Sequence, residues 1–317
     1  MTDTNHTVAR AAGSEPGQAE DPFPRLAGVE HRVIDLPGLR MHVAEAGNGE
    51  PVLLLHGFPQ HWWEWRKVIP GLAEHHRVIC PDLRGAGWTD AAPDGYTRDQ
   101  LLADILALLD ALELDRVQMI GHDWGALVGF QLCLNHPGRV RNYLCLGPHP
   151  FLRFDPRLLT VMWRLWFQAV IVTPVLGPRL LSKGDQRFAR YLLVNDTADR
   201  SAWSEEDIEL FIGRLRDPAR ARAASSLYRG FITREARRIM GGAYQSTRLT
   251  TPTRLLIGAK DPVIRPRFLG GYRDHADDLT LEVVDDAAHF IADERPDAVV
   301  EHALEFFGPP GHGRLPR

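Results

Sequence analysis

Gly121-His122-Asp123-Trp124-Gly125 decides how this chain is read. Before it, Arg116-Val-Gln-Met-Ile120 is a short apolar run that predicts a strand, and after it Ala126 to His136 predicts a buried helix stopped by Pro137-Gly138. Strand, sharp turn and helix are what a nucleophile elbow requires, and Gly121 and Gly125 permit the turn. The position that often carries serine here carries a carboxylate, close to a helix N-terminus whose partial positive charge favours an anion. Taken alone, the run fits a plain helix cap equally well, because aspartate at such a junction accepts backbone N–H groups.

Three other stretches favour chemistry over capping. Pro51-Val-Leu-Leu-Leu55 predicts a fully apolar strand running into His56-Gly57-Phe58-Pro59, where the Phe58 N–H, together with that of Trp124, can form an oxyanion hole. Arg254 to Gly258 leads to Lys260-Asp261-Pro262, and Leu281 to Val284 leads to Asp285-Asp286-Ala287-Ala288-His289-Phe290. Each acidic or basic residue falls just past a predicted strand, with room for one helix and one strand between Asp261 and His289. An isolated surface residue explains either one alone. Four elements at consecutive strand ends point instead to a triad of nucleophile Asp123, acid Asp261 and base His289.

A chain of 317 residues, 44% hydrophobic, can bury one large core. A net charge of −4 gives no footprint for nucleic acid or an anionic membrane. Cys80, Cys133 and Cys145 lie in apolar contexts without metal-ligand spacing and predict small buried residues in a reducing, cytoplasmic setting. Neither a metal cluster nor a nucleotide loop is visible, Gly85-Ala-Gly87 being too short for one, so no metal and no cofactor are expected. The first two dozen residues have no apolar signal-like core and predict disorder, as does Gly308 to Arg317. The most apolar helical stretch, Trp166 to Leu176, is broken by Pro174 and predicts a buried helix, not a membrane span.

Along the chain, Val33 to Ala44 predicts an edge hairpin around Pro37-Gly38, Val78 to Asp82 a strand, Arg98 to Leu112 an amphipathic helix and Val140 to Leu146 another strand. From about Gly147 to Thr247 the strand signal gives way to helical patterns, among them a capping start at Ser204-Glu-Glu-Asp207; strands resume at Thr253. Alternating strands and helices imply a mostly parallel sheet covered on both faces, and the helical excursion reads as a cap over the carboxyl ends of its strands.

In His56 to Gln60 with Trp62-Trp63-Glu64-Trp65-Arg66, in Pro81-Asp82-Leu83-Arg84-Gly85-Ala86-Gly87, and in Gly121 to Gly125, Asp261 and His289, the sequence resembles the epoxide hydrolases of the α/β-hydrolase superfamily and their relatives the haloalkane dehalogenases. The resemblance spans about residues 30 to 307. It implies an α/β-hydrolase fold, with a core over 26–146 and 248–307, a helical cap over 147–247, a disordered segment over 1–25 and a flexible tail over 308–317.

A carboxylate nucleophile narrows the chemistry further. A serine attacking an sp³ carbon leaves an ether that water cannot easily cleave, whereas a carboxylate leaves an ester that His289-activated water can hydrolyse. The expected substrate therefore has an electrophilic sp³ carbon with a leaving group, either an epoxide or a carbon–halogen bond; the resemblance puts the epoxide first, and the tryptophans Trp62, Trp63, Trp65, Trp163 and Trp166 with Phe167 suggest an apolar molecule. By the resemblance, Tyr228, in the segment of the second cap tyrosine, donates to the opening oxygen, while Trp163 stands where relatives carry the first cap tyrosine. Trp163, Trp166, Phe167, Pro59 and His149 are the expected pocket residues, with Tyr191 a further candidate donor, and His122 is expected to face supporting structure. A dehalogenase would use Trp124 and a cap tryptophan as halide donors. A ligand-binding relative would have no need of an intact triad. No nucleic acid or stable membrane insertion is expected, and the oligomeric state is left open.

Overall fold

The sheet of this protein is assembled around its most apolar strands. A computed structural model describes residues 23–151 and 156–308; the expected disorder of residues 1–22 and 309–317 lies outside them. Eight strands run β1 (Val29–Leu36), β2 (Leu39–Ala46), β3 (Glu50–Leu55), β4 (His76–Pro81), β5 (Val117–His122), β6 (Val140–Leu146), β7 (Thr253–Gly258) and β8 (Leu279–Val284). Their spatial order is β1-β2-β4-β3-β5-β6-β7-β8. The predicted hairpin is present, with Leu36 opposite Leu39, and β2 also runs antiparallel to β4. All other pairings are parallel. Every residue of β5 is buried, as expected of a parallel strand covered on both faces.

Two apolar cores cover the sheet. One packs the Arg98–Ala111 and Trp124–Asn135 helices through Ile105, Leu108 and Phe130; the other packs the Pro296–Phe307 helix and the Trp62–Lys67 turn through Val299, Trp62 and Trp65. Thr97 starts the Arg98–Ala111 helix by accepting from the Gln100 N–H. The three cysteines are buried and unpaired within these cores.

Between β6 and β7 the described residues form helices and no strand. A third apolar cluster joins this insertion to the core, with Phe211, Trp203 and Tyr228 meeting Trp124 and Phe290. The capping box predicted at Ser204 and Asp207 is present, and Asp207 does a second job. Its carboxylate lies 2.7 Å from Arg66 and accepts the Trp63 indole N–H at 2.8 Å, tying the insertion to the core.

Two expectations need correction. Phe23, assigned to the disordered leader, stacks on His31 and His42 at ring distances of 4.7 and 4.4 Å. The Trp166–Ile171 helix, expected to be buried, hides only Ile171 fully; Trp166 stays 46% exposed. Its continuation Leu176–Ser182 is bent away by 97°, and no helix among the described residues is long and apolar enough to cross a membrane.

Candidate active site

The carboxyl ends of β3, β5, β7 and β8 carry the expected residues. Parallel register sets Leu55 beside Gly121 and Gly258 beside Val284, so the turns that follow emerge along one edge of the sheet. Asp123 occupies the turn between β5 and the Trp124–Asn135 helix with φ +46°. Such a conformation is uncommon outside glycine and clusters at functional sites. Asp123 makes no capping hydrogen bond with its side chain, so the cap reading fails. Its carboxylate turns instead to the β3 loop, where the Phe58 N–H donates to Oδ2 at 3.0 Å. Gly125 is required there: a Cβ on it would sit 2.0 Å from the Leu55 carbonyl oxygen. Gly57 is required as well, since its Cβ would come within 2.6 Å of the Asp123 Cβ.

The two residues expected as acid and base lie in contact. His289 Nδ1 lies 3.0 Å from Asp261 Oδ2, while Asp261 Oδ1 accepts the Val263 and Ile264 N–H groups at 2.7 Å each. With its carboxylate anchored at both oxygens, Asp261 fixes the ring's orientation. Burial works against a charge on His289, but the Asp261 hydrogen bond and the charges of Asp261, Asp123 and Asp196 outweigh it and raise its pKa to about 9. Asp196, in the insertion, also accepts the His289 backbone N–H at 3.1 Å through its main-chain carbonyl.

Tyr228, near the end of the Pro218–Gly230 helix, is buried with its ring edge-on to Trp124 at 5.1 Å and to Phe58 at 5.2 Å. Burial and the Asp123 charge push its hydroxyl well above the ordinary tyrosine pKa, against the neighbouring Trp124. Phe167 reaches the same ring at 6.5 Å. A cavity of about 150 Å³ is lined by Trp124, Leu227 and Phe231, and one of about 50 Å³ by Phe58, Pro59 and Leu227. Asp123 lines neither. Phe58 and Trp124, on either side of its carboxylate, line one cavity each, and their rings meet on Tyr228.

The other expected pocket residues fall elsewhere. Trp163 is 64% exposed and gives its indole N–H to the Thr160 carbonyl at 3.1 Å. Trp166 packs outward against Phe188 and Tyr191. His149 is buried between Phe151 and Tyr272 with Nε2 2.8 Å from the Leu269 carbonyl, and burial lowers its pKa to about 4. It is a packed structural ring.

One functional element escaped the sequence reading. Glu64, in the Trp62–Lys67 turn, accepts the Gly57 N–H at 2.9 Å and faces His122 at 2.8 Å. The clue was present, since a carboxylate inside Trp62-Trp63-Glu64-Trp65 has to find a partner once buried. The Asp82 turn is supporting structure: its fully buried carboxylate holds His42 and accepts the Trp62 and Trp88 N–H groups. No group of three His, Cys, Asp or Glu among the described residues is placed to hold a metal.

Comparison with known proteins places this geometry among relatives. The family model described as alpha/beta hydrolase fold matches residues 50–296. The soluble epoxide hydrolase of Corynebacterium sp. (strain C12) is 30% identical, covering 89% of this chain and 98% of its own length. Epoxide hydrolase 2 of Siraitia grosvenorii is 32% identical over 88% and 98%. The solved structure of epoxide hydrolase CorEH without ligand superposes with a TM-score of 0.77 at 30% identity, over 88% of this chain and 98% of that one.

Proposed function

Since the chain belongs to the alpha/beta hydrolase fold family and, within it, to the epoxide hydrolases, we propose that it converts an apolar epoxide to a vicinal diol through an ester on Asp123. The observation that carries this is the Asp123 carboxylate itself, held at Oδ2 by the Phe58 N–H beside the Asp261–His289 pair. Asp123 Oδ1 attacks one ring carbon, that carbon's bond to oxygen breaks, and the Tyr228 O–H gives its proton to the departing oxygen. A tyrosine kept protonated by burial suits that step. Oδ2, which accepts the Phe58 N–H, becomes the ester carbonyl. Water, deprotonated by His289, adds to the ester carbon; collapse of the intermediate expels the alkoxide, which takes the proton back from His289 to leave as the diol, and the Asp123 carboxyl returns its proton to the Tyr228 oxygen, restoring both groups.

The charge on Asp123 times these halves. While the carboxylate is ionised, it helps hold a proton on His289. Forming the ester removes that charge and lowers the His289 pKa, so the ring gives up its proton more readily in the step that needs a base. The helical insertion, residues 147–247, acts in this reading as a cap over the site, and the pocket it encloses is apolar.

A dehalogenase would use the Trp124 Nε1–H, which is buried with no aligned acceptor. Against that reading, Trp163 and Trp203 give their indole N–H groups to Thr160 and Thr197, and Trp166 is 46% exposed. The test is product analysis with styrene oxide and with 1-bromobutane. Diol from the first and no bromide from the second is expected; bromide release without diol would overturn the proposal.

A further inference from the structure

Two stretches far apart in the sequence meet under the site through one pair of charged side chains. Glu64 and His122 are both fully buried. Glu64 Oε2 accepts the Gly57 N–H at 2.9 Å, one residue before the Phe58 donor that holds Asp123. Its other oxygen, Oε1, lies 2.8 Å from His122 Nδ1, off the line of a hydrogen bond. The second nitrogen of His122, Nε2, sits 2.9 Å from the His289 backbone carbonyl.

Proton counting follows from these contacts. A carbonyl oxygen only accepts, so Nε2 must carry a hydrogen. A neutral ring would then leave an unprotonated Nδ1 only 2.8 Å from a carboxylate oxygen, an unfavourable contact in a buried site. A second ring proton removes the conflict. Burial and nearby His289 resist a charge on His122, while Glu64 and Asp123 favour it, and the net direction is upward.

We propose that Glu64 and His122 form a buried carboxylate–imidazolium pair that positions the Phe58 oxyanion loop and the catalytic base His289 as one unit. In its catalytic consequence this rests on the ester mechanism above; in its protonation state it does not. The pair touches no reacting atom. It links the Gly57 N–H on one side of Asp123 to the His289 main chain on the other, and ester hydrolysis is the step that uses both sides at once. Attack by Asp123 on substrate does not use His289, so it depends on the pair less.

Glu64→Gln tests this with little change of shape. The amide oxygen can still accept from Gly57, while the amide N–H₂ donates to Nδ1 and lets the ring be neutral. Nitrogen NMR of ¹⁵N-histidine-labelled protein at pH 7, with His122 assigned by its loss in His122→Gln, is expected to show both ring nitrogens protonated in wild type and one in Glu64→Gln. Single-turnover kinetics with styrene oxide should show ester hydrolysis slowed about 10–10²-fold in Glu64→Gln, the scale on which misplacing supporting groups costs rate. Formation of the Asp123 ester should change much less.

A singly protonated His122 in wild type overturns the charged pair. Wild-type ester hydrolysis in folded Glu64→Gln overturns the positioning role. Should Glu64→Gln not fold, the wild-type spectrum still decides the protonation state, and single-turnover kinetics of His122→Gln decide the positioning role. If wild type forms neither ester nor diol, the epoxide reading fails, while the NMR spectrum still decides whether the pair is charged.

Discussion

The strand-end turns of the sheet and the helical insertion above them differ in how closely their side chains follow the sequence pattern. At the strand ends, Asp123, Asp261, His289 and Phe58 all fall where their motifs put them. In the insertion, Tyr228 packs edge-on against the ring of Trp124, but Trp163 faces solvent and Trp166 packs outward on Phe188 and Tyr191. A residue just past a buried parallel strand has its place fixed by register and by ladder hydrogen bonds. A residue on a short helix has its direction fixed by rotation, and one position turns a side chain by about 100°. Site residues on the sheet can therefore be carried over from a motif, whereas site residues on the insertion have to be located by packing.

Substitutions can break or sharpen this contrast. The largest effect belongs to the strand ends. Asp123→Asn is expected to lower diol formation by about 10⁴-fold or more, the scale seen when a member of a catalytic triad is removed. A steady-state assay with styrene oxide checks this, and near-normal turnover would remove Asp123 from the chemistry. Tyr228→Phe should cost about 10²–10⁴-fold, as losing a general acid does, with the loss in formation of the ester and not in its hydrolysis. Rapid-quench kinetics separate the two, and an equal loss in both would make Tyr228 a packing residue.

Trp163→Phe should leave kcat/KM for the same epoxide unchanged, because its indole N–H meets only the Thr160 carbonyl and its ring is largely in solvent. A clear loss would show that the insertion rotates in solution and brings Trp163 to the site. The smallest effect is on stability. The His289 pKa is raised from 6.5 to about 9 in the folded protein, so the stabilisation from its proton is fully present below pH 6.5 and is lost as pH rises through about 9. The melting-temperature advantage of wild type over His289→Gln should therefore shrink across that window; a constant difference would contradict the raised value.

What could be read in the sequence follows the same physics. The β1–β2 hairpin, the apolar run in β3, the buried β5, the Arg98–Ala111 helix and the Ser204 capping box are local signals, and each lies where its residues put it. The Asp261–His289 contact was legible because both residues follow adjacent parallel strands. The Glu64–His122 contact was not, because it joins the Trp62–Lys67 turn to the end of β5, and their meeting is set by the approach of Gly57 to Asp123 in three dimensions. His122 was expected to face supporting structure, and its partners are Glu64 and the His289 carbonyl. Phe23 found a stacking site on His31 and His42 that only the folded hairpin creates.

Everything in the proposed chemistry depends on the covalent ester on Asp123, and mass spectrometry of His289→Gln tests it most directly. After incubation with styrene oxide and proteolysis, the peptide containing Asp123 should carry the added mass of one intact epoxide, trapped because the base that hydrolyses the ester is gone. An unmodified peptide from a variant that still forms diol would contradict the two-step mechanism.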